Sequence, residues 1–318
     1  MEGLEQVGEL FDHHIVGVAQ CASTSKQMAR MRETCRGIGF KRNSTRFESR
    51  LPVLFTPTPP VLSLYYWDSQ RPRTRPYNTG MATWIAHLRI AENLLGLFPD
   101  LDPAGFAVGN IAPDSGIPDE KWEIFSPPLE VTHLISSGDW RCADMEFYRR
   151  YLLPLRCDPN QGPVSFRIGY FFHLLTDNIW DARINRPVRK RWEAQFAADK
   201  GFIWEVKKDL YGLDFIYVRD HPDCLFWRVF LDARPETGEL DFLPLEAVRQ
   251  RVEFIQQDYQ RTDEDVQKAY NRPYIYLSSA EMDRFVDEST RQLSRIYQHL
   301  WINGAVTDGF ISALDLAI

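Results

Sequence analysis

The stretch Gly169–Asp181, "GYFFHLLTDNIWD", is apolar on every side of a helix, yet it carries His173 and Asp177 four residues apart. A helix with no polar face is a buried helix, so other helices must surround it. At spacing i, i+4 the two ionisable side chains project from one face, one turn apart. Phe166, Gly169, Tyr170 and Trp180 share that face, and Phe171, Phe172, Leu175 and Ile179 cover the other. A buried carboxylate without a partner costs several kcal/mol or takes up a proton. Two solutions are open: an internal His–Asp hydrogen bond satisfied in the core, or a metal ion held by both.

The flanking sequence supports a mainly α fold, a single multi-helix domain over residues 81–318. "MATWIAHLRIAENLLGLFPD" (81–100) begins with Thr83 as an N-cap. Trp84, His87, Leu88, Ala91, Leu94 and Leu95 then follow at helical spacing, with His87 on the apolar stripe. Further helices are expected over Glu130–Leu153 and Phe166–Ile184. Val248, Val252, Ile255 and Tyr259 form one stripe. Another comprises Met282, Phe285, Val286, Leu293, Ile296 and Tyr297, opened by a Ser278/Glu281 capping box and stopped near Gly304. Alternating strand patterns are scarce, and no internal repeat is present.

Residues 1–80 differ in character. They hold 11 Lys and Arg against 7 Asp and Glu, and residues 51–80 include six prolines. This composition predicts a basic, Pro-rich, disordered extension. Met81 resembles a natural chain start, and the adjacent His13 and His14 are expected to be incidental. The remainder holds 26 basic against 37 acidic residues within a chain of net charge −7. That balance disfavours binding to nucleic-acid backbones. No apolar run reaches 18 residues, and the opening lacks a basic region followed by an apolar one, so neither a spanning helix nor a secretory signal is expected. Five scattered cysteines without a CxxC pair fit a reduced, cytoplasmic chain.

Three further segments place ionisable groups against apolar sequence. "FAVGNIAPDSG" (106–116) ends an apolar run on Asp114, in a Gly- and Pro-flanked loop able to aim a carboxylate inward. A turn or N-cap aspartate is the simpler alternative there. His133 lies among Val131, Leu134 and Ile135 at a helix opening, and His87 lies on the first helix. Each alone fits a structural histidine. Together, three inward histidines and two inward aspartates from separate segments form an N/O donor set suited to zinc, with room for a catalytic water.

The ordered motifs "TWIAHL" (His87), "VGNIAPD" (Asp114), "VTHL" (His133) and "YFFHLLTD" (His173, Asp177) resemble the zinc-dependent phospholipase C family. The resemblance runs from about Met81 to Trp180, and beyond it the chain is similar to the cytoplasmic, hydrolase-like branch. It implies the all-α phospholipase C/P1 nuclease fold, with His133, His173, Asp177 and Asp114 around one zinc. Asp177 would bridge to a second zinc that takes His87, and Asp114 would also orient or deprotonate the attacking water. The implied substrate is a small phosphoester or phospholipid-like molecule.

Two departures reduce the implied metal count to one or two ions. Family members expose a terminal tryptophan whose amine binds metal, whereas Trp84 is internal. Their downstream histidine pair with a glutamate is also missing, since only His221 ("RDHPD") and His299 ("YQHLW") follow. Asp181, Asp209 and Asp214 are either imidazole-orienting partners or solvated and capping residues. The basic run Pro187–Trp192 is either an anion patch or a solvated helix face. A helical protein with a structural metal site, and a nuclease, are the alternatives to a phosphoester hydrolase.

Overall fold

Helix α1 (Trp84–Leu97) forms as its periodicity dictates. Thr83 caps it by accepting from the Ala86 amide at 3.4 Å, and Ile85, His87, Leu88, Ala91 and Leu94 are buried. The structure is a computed structural model that describes residues 81–119, 124–135, 141–155, 159–199, 201–235, 240–304 and 309–316. The extension expected over 1–80, with His13, His14 and the chain start expected at Met81, falls on residues outside this set or at its edge.

After α1 comes α2 (Pro103–Gly109), capped by Asp102, and a tight turn over Ala112–Asp114. A two-residue hairpin pairs β1 (Ile117–Pro118) with β2 (Phe125–Ser126). Short α3 (Leu129–Thr132) and α4 (Asp144–Phe147) precede the long α5 (Gly162–Trp180). Helices α6 (Arg186–Arg191), α7 (Glu193–Ala198), α8 (Ile203–Asp220), α9 (Leu225–Arg228), α10 (Leu245–Asp258), α11 (Glu264–Asn271) and α12 (Ser279–Tyr297) complete the order. The fold is mainly α. Among the described residues, no helix is long and apolar enough to cross a membrane.

Helix α5 is the core element expected from its sequence, buried almost continuously from Val164 to Trp180. Trp180 meets Phe285 of α12 edge to face at 5.0 Å, and Phe172 meets Tyr297 at 6.1 Å. The α12 stripe and the Ser278/Glu281 capping box form as the spacing predicts. Gly304 takes a left-handed φ of 64° shortly beyond.

The closest helix pair is α2 against α5, and it runs on glycine. A side chain on Gly109 would overlap the Phe166 carbonyl, and one on Gly169 would overlap the Phe106 carbonyl. With no Cβ between them, the two backbones touch, and the Asn110 carbonyl reaches into the core beside His173.

The helix expected over Glu130–Leu153 is interrupted. It stops at His133, and Leu134 adopts a left-handed φ of 50°, a conformation that costs a branched residue free energy. That break turns the His133 ring inward. Ile135 then bridges Cys142. The Asn178 side chain holds Cys142 by accepting from its amide and donating to its carbonyl, both at 2.9 Å.

Asp214 of α8 fixes the start of α1. Its carboxylate accepts from the Thr83 hydroxyl and the Tyr259 hydroxyl, both at 2.7 Å. Burial pushes Asp214 up to about 7, although both hydrogen bonds pull the other way. The unfolded carboxyl titrates near 3.9, so between about pH 4 and 7 the unfolded chain releases a proton that the folded chain keeps. Stability at this residue is therefore full below about pH 4 and falls as pH rises through about 7, by up to about 4 kcal/mol. Asp214→Asn is expected to lack this slope. Urea titrations at pH 4.5 and 8 would show the variant gaining several kcal/mol on wild type, and a pH-independent difference would contradict it.

Candidate metal centre

Four segments converge on one buried point. Helix α1 brings His87, the turn after α2 brings Asp114, the end of α3 brings His133, and α5 brings His173 and Asp177. The three imidazoles are fully buried, Asp177 is 3% exposed, and the Asp114 side chain is 12% exposed. All five residues expected from the sequence thus come together, in two overlapping triads: His87, His173 and Asp177, and Asp114, His133 and His173.

The donor atoms face one another. His133 Nε2 lies 3.1 Å from His173 Nε2, and Asp177 Oδ2 lies 3.4 and 3.2 Å from these two nitrogens. Asp114 Oδ1 is 3.6 Å from His133 Nε2. Four donors bound tetrahedrally at about 2.0–2.1 Å stand about 3.3–3.4 Å from each other. The observed separations bracket that value, so the residues fit a zinc-sized ion. Beside this set, His87 Nε2 lies 3.4 Å from Asp177 Oδ1, and its ring stacks on His173 at 3.9 Å and 3°. The two Asp177 oxygens therefore point to two adjacent positions.

Hydrogen bonding fixes which nitrogens carry protons. The Asn110 carbonyl can only accept, so the 2.7 Å contact makes His173 Nδ1 a donor. The Leu129 carbonyl does the same for His133 Nδ1 at 3.2 Å, with Thr132 Oγ1 also at 3.0 Å. In the neutral rings both Nε2 atoms are then bare lone pairs, facing each other and a carboxylate. Asp177 Oδ2 and both nitrogens of His87 have no hydrogen-bond partner. Buried polar groups are rarely left in this state, and a cation would satisfy Asp177 Oδ2 and the Nε2 of His87, though not the His87 Nδ1 on the far side of the ring. The simple core hydrogen bond between His173 and Asp177 would require a second ring proton.

Electrostatics follow the same geometry. Burial, then the His173 charge, hold His87 below the ordinary imidazole value. Burial also works against a charged His173, but Asp177 with Asp114 and the Asn110 carbonyl outweighs it and raises its pKa. Burial would raise Asp177, yet the three surrounding imidazoles hold it well below the carboxylate range.

The supporting contacts were not evident in the spacing. Trp84 Nε1 donates to Asp114 Oδ2 at 2.8 Å, fixing Oδ1 toward the centre, and the Ala82 amide donates to Asp177 Oδ1 at 2.9 Å. Trp84 thus serves the site through its indole. Asn110 has a visible signal in "VGN", a polar residue closing an apolar helix. Ala82 has none, because a backbone donor leaves no mark in composition.

Asp181, Asp209 and Asp214 do not orient the ligand imidazoles. Asp181 pairs with Asn185 and Arg186. Asp209 and Asp214 are buried rather than solvated: Asp209 accepts from the Ile275 and Tyr276 amides and pairs with Arg272. His221 stacks on Tyr217 near the surface, and neither it nor His299 joins a donor group among the described residues. Within Pro187–Trp192, Arg191 pairs with Glu281 and Arg189 lies over Phe196. Comparison with models of known families, with curated proteins and with solved structures finds no match for this chain.

Proposed function

We propose that the chain is a zinc-dependent hydrolase of phosphoesters, related to the zinc-dependent phospholipase C family and its all-α fold, with one or two ions at the centre. The observation that carries this is the pair of bare Nε2 atoms 3.1 Å apart, closed by two carboxylates at tetrahedral edge lengths. The motif order from His87 to Asp177 supports the family. His133, His173, Asp177 and Asp114 would hold the first ion, and His87 with Asp177 Oδ1 a second.

Zinc so held supplies Lewis acidity toward a phosphoryl oxygen and brings the pKa of water toward neutrality. The chain's own residues do the rest. Asn110 and Leu129 carbonyls hold the Nδ1 protons, so in the neutral rings the two Nε2 lone pairs are aimed inward. Trp84 holds Asp114 still, and Asp114, the most exposed of the five, orients and deprotonates the attacking water. The substrate proposed is a small phosphoester or phospholipid-like molecule that would approach at Asp114, whose side chain is the part of the centre in contact with solvent. The acidic balance of residues 81–318 speaks against nucleic acid.

A structural metal site is the second reading, favoured by the complete burial of the three imidazoles. Metal content of the full chain and turnover of bis(p-nitrophenyl) phosphate, with and without chelator, separate the two. Hydrolysis that chelator abolishes and zinc restores is expected. Stoichiometric zinc without turnover on any phosphoester would favour the structural site, and no bound zinc would end both.

A further inference from the structure

Arg251, on α10, lies over the Trp84 ring at 5.4 Å and near the Phe254 ring at 5.8 Å, while Trp84 meets Phe254 edge to face at 5.9 Å. The same indole donates to Asp114. The guanidinium therefore stands one aromatic ring away from the most exposed donor of the centre. Its Nε is buried without a hydrogen-bond partner, and no carboxylate pairs with it among the described residues. Other arginines of the fold are treated differently. Arg89 pairs with Asp283, Arg183 with Glu288 and Arg261 with Asp258 and Asp263.

A half-buried cation with a free donor is costly unless something else completes it. The group that a planar guanidinium fork matches best is a tetrahedral oxyanion bound by two of its N–H groups. The two aromatic rings hold the fork in place without using its donors, which is preorganisation for an anionic ligand. Arg251 lies on the ring whose indole N–H holds Asp114, so an anion held by its fork would lie close to the Asp114 side of the centre.

We infer that Arg251 binds an anionic phosphoryl oxygen of the substrate, so that the centre selects phosphate esters over neutral carboxylic esters. The selection of substrate rests on the hydrolase reading; the anion site itself does not.

Inorganic phosphate titrated calorimetrically into the full chain tests this, with wild type, Arg251→Met and Arg251→Gln side by side. Zinc content and melting temperature are measured on the same samples. The expected result is phosphate binding at least about tenfold weaker in both variants, with zinc content unchanged. On bis(p-nitrophenyl) phosphate, KM should rise more than kcat falls. Equal phosphate affinity in wild type and variants overturns the proposal, as does zinc-loaded wild type that binds no phosphate. Should Arg251→Met fail to fold, Arg251→Gln, which keeps the planar donor without charge, decides the matter. Arg251-dependent phosphate binding by a chain that holds no zinc would sustain the anion site and sink the metal reading alone.

Discussion

Asp177→Ala is expected to purify with almost no zinc and to hydrolyse bis(p-nitrophenyl) phosphate at least about 10³-fold more slowly than wild type. Among the described residues, Asp177 alone touches all three imidazoles, at 3.4 Å to His87, 3.4 Å to His133 and 3.2 Å to His173. Removing it leaves three inward rings with one carboxylate, Asp114, which is further away and partly committed to Trp84. The Ala82 amide also loses its acceptor, which costs about 1–3 kcal/mol at a buried group. His87→Ala makes the contrast. On the proposed arrangement it would empty only the second position, so one ion per chain should remain. Elemental analysis of the purified proteins distinguishes these outcomes, and an Asp177→Ala chain with full zinc would refute the centre as described.

Gly109→Ala should destabilise the fold by about 3 kcal/mol or more, a fall in melting temperature of roughly 6–12 °C. The added methyl would overlap the Phe166 carbonyl, which is backbone within the long central helix and has nowhere to go. Relief requires α2 to move off α5. That withdraws the Asn110 carbonyl from His173, so zinc affinity should fall with stability. Gly96→Ala is the control. A Cβ there meets nothing within 4 Å, and a helix position favours alanine by up to about 1 kcal/mol. If calorimetry shows the two alanine variants equally stable, the close approach of α2 and α5 is not structural.

The helices that bury an uninterrupted stripe were legible. The α12 stripe from Met282 to Tyr297 and the α10 stripe from Val248 to Tyr259 are both buried as their spacing demands. Convergence of the five donors was also readable, because an ionisable group on an apolar face must be paired or neutralised once buried. The break at His133 was not. The turn-forming run "SSGD" (136–139) signals a stop only three residues later, and a left-handed Leu134 runs against local propensity. The burial of Asp209 and Asp214 was hidden for a related reason. Their partners, the Ile275 and Tyr276 amides and the Thr83 and Tyr259 hydroxyls, lie 45 or more residues away along the chain. Arg251 carried no signal at all, since an arginine on an amphipathic helix ordinarily faces water.

The facing Nε2 atoms of His133 and His173 make proton and metal rivals for one space. Without a cation, the cheapest way to quiet two lone pairs beside Asp177 is to place a proton between them, which agrees with the upward shift of His173. On the proposed reading, loading with zinc would expel that proton into solvent. Uptake of the ion would then acidify an unbuffered solution and weaken as the medium becomes more acid, tying pH and free zinc into a single variable.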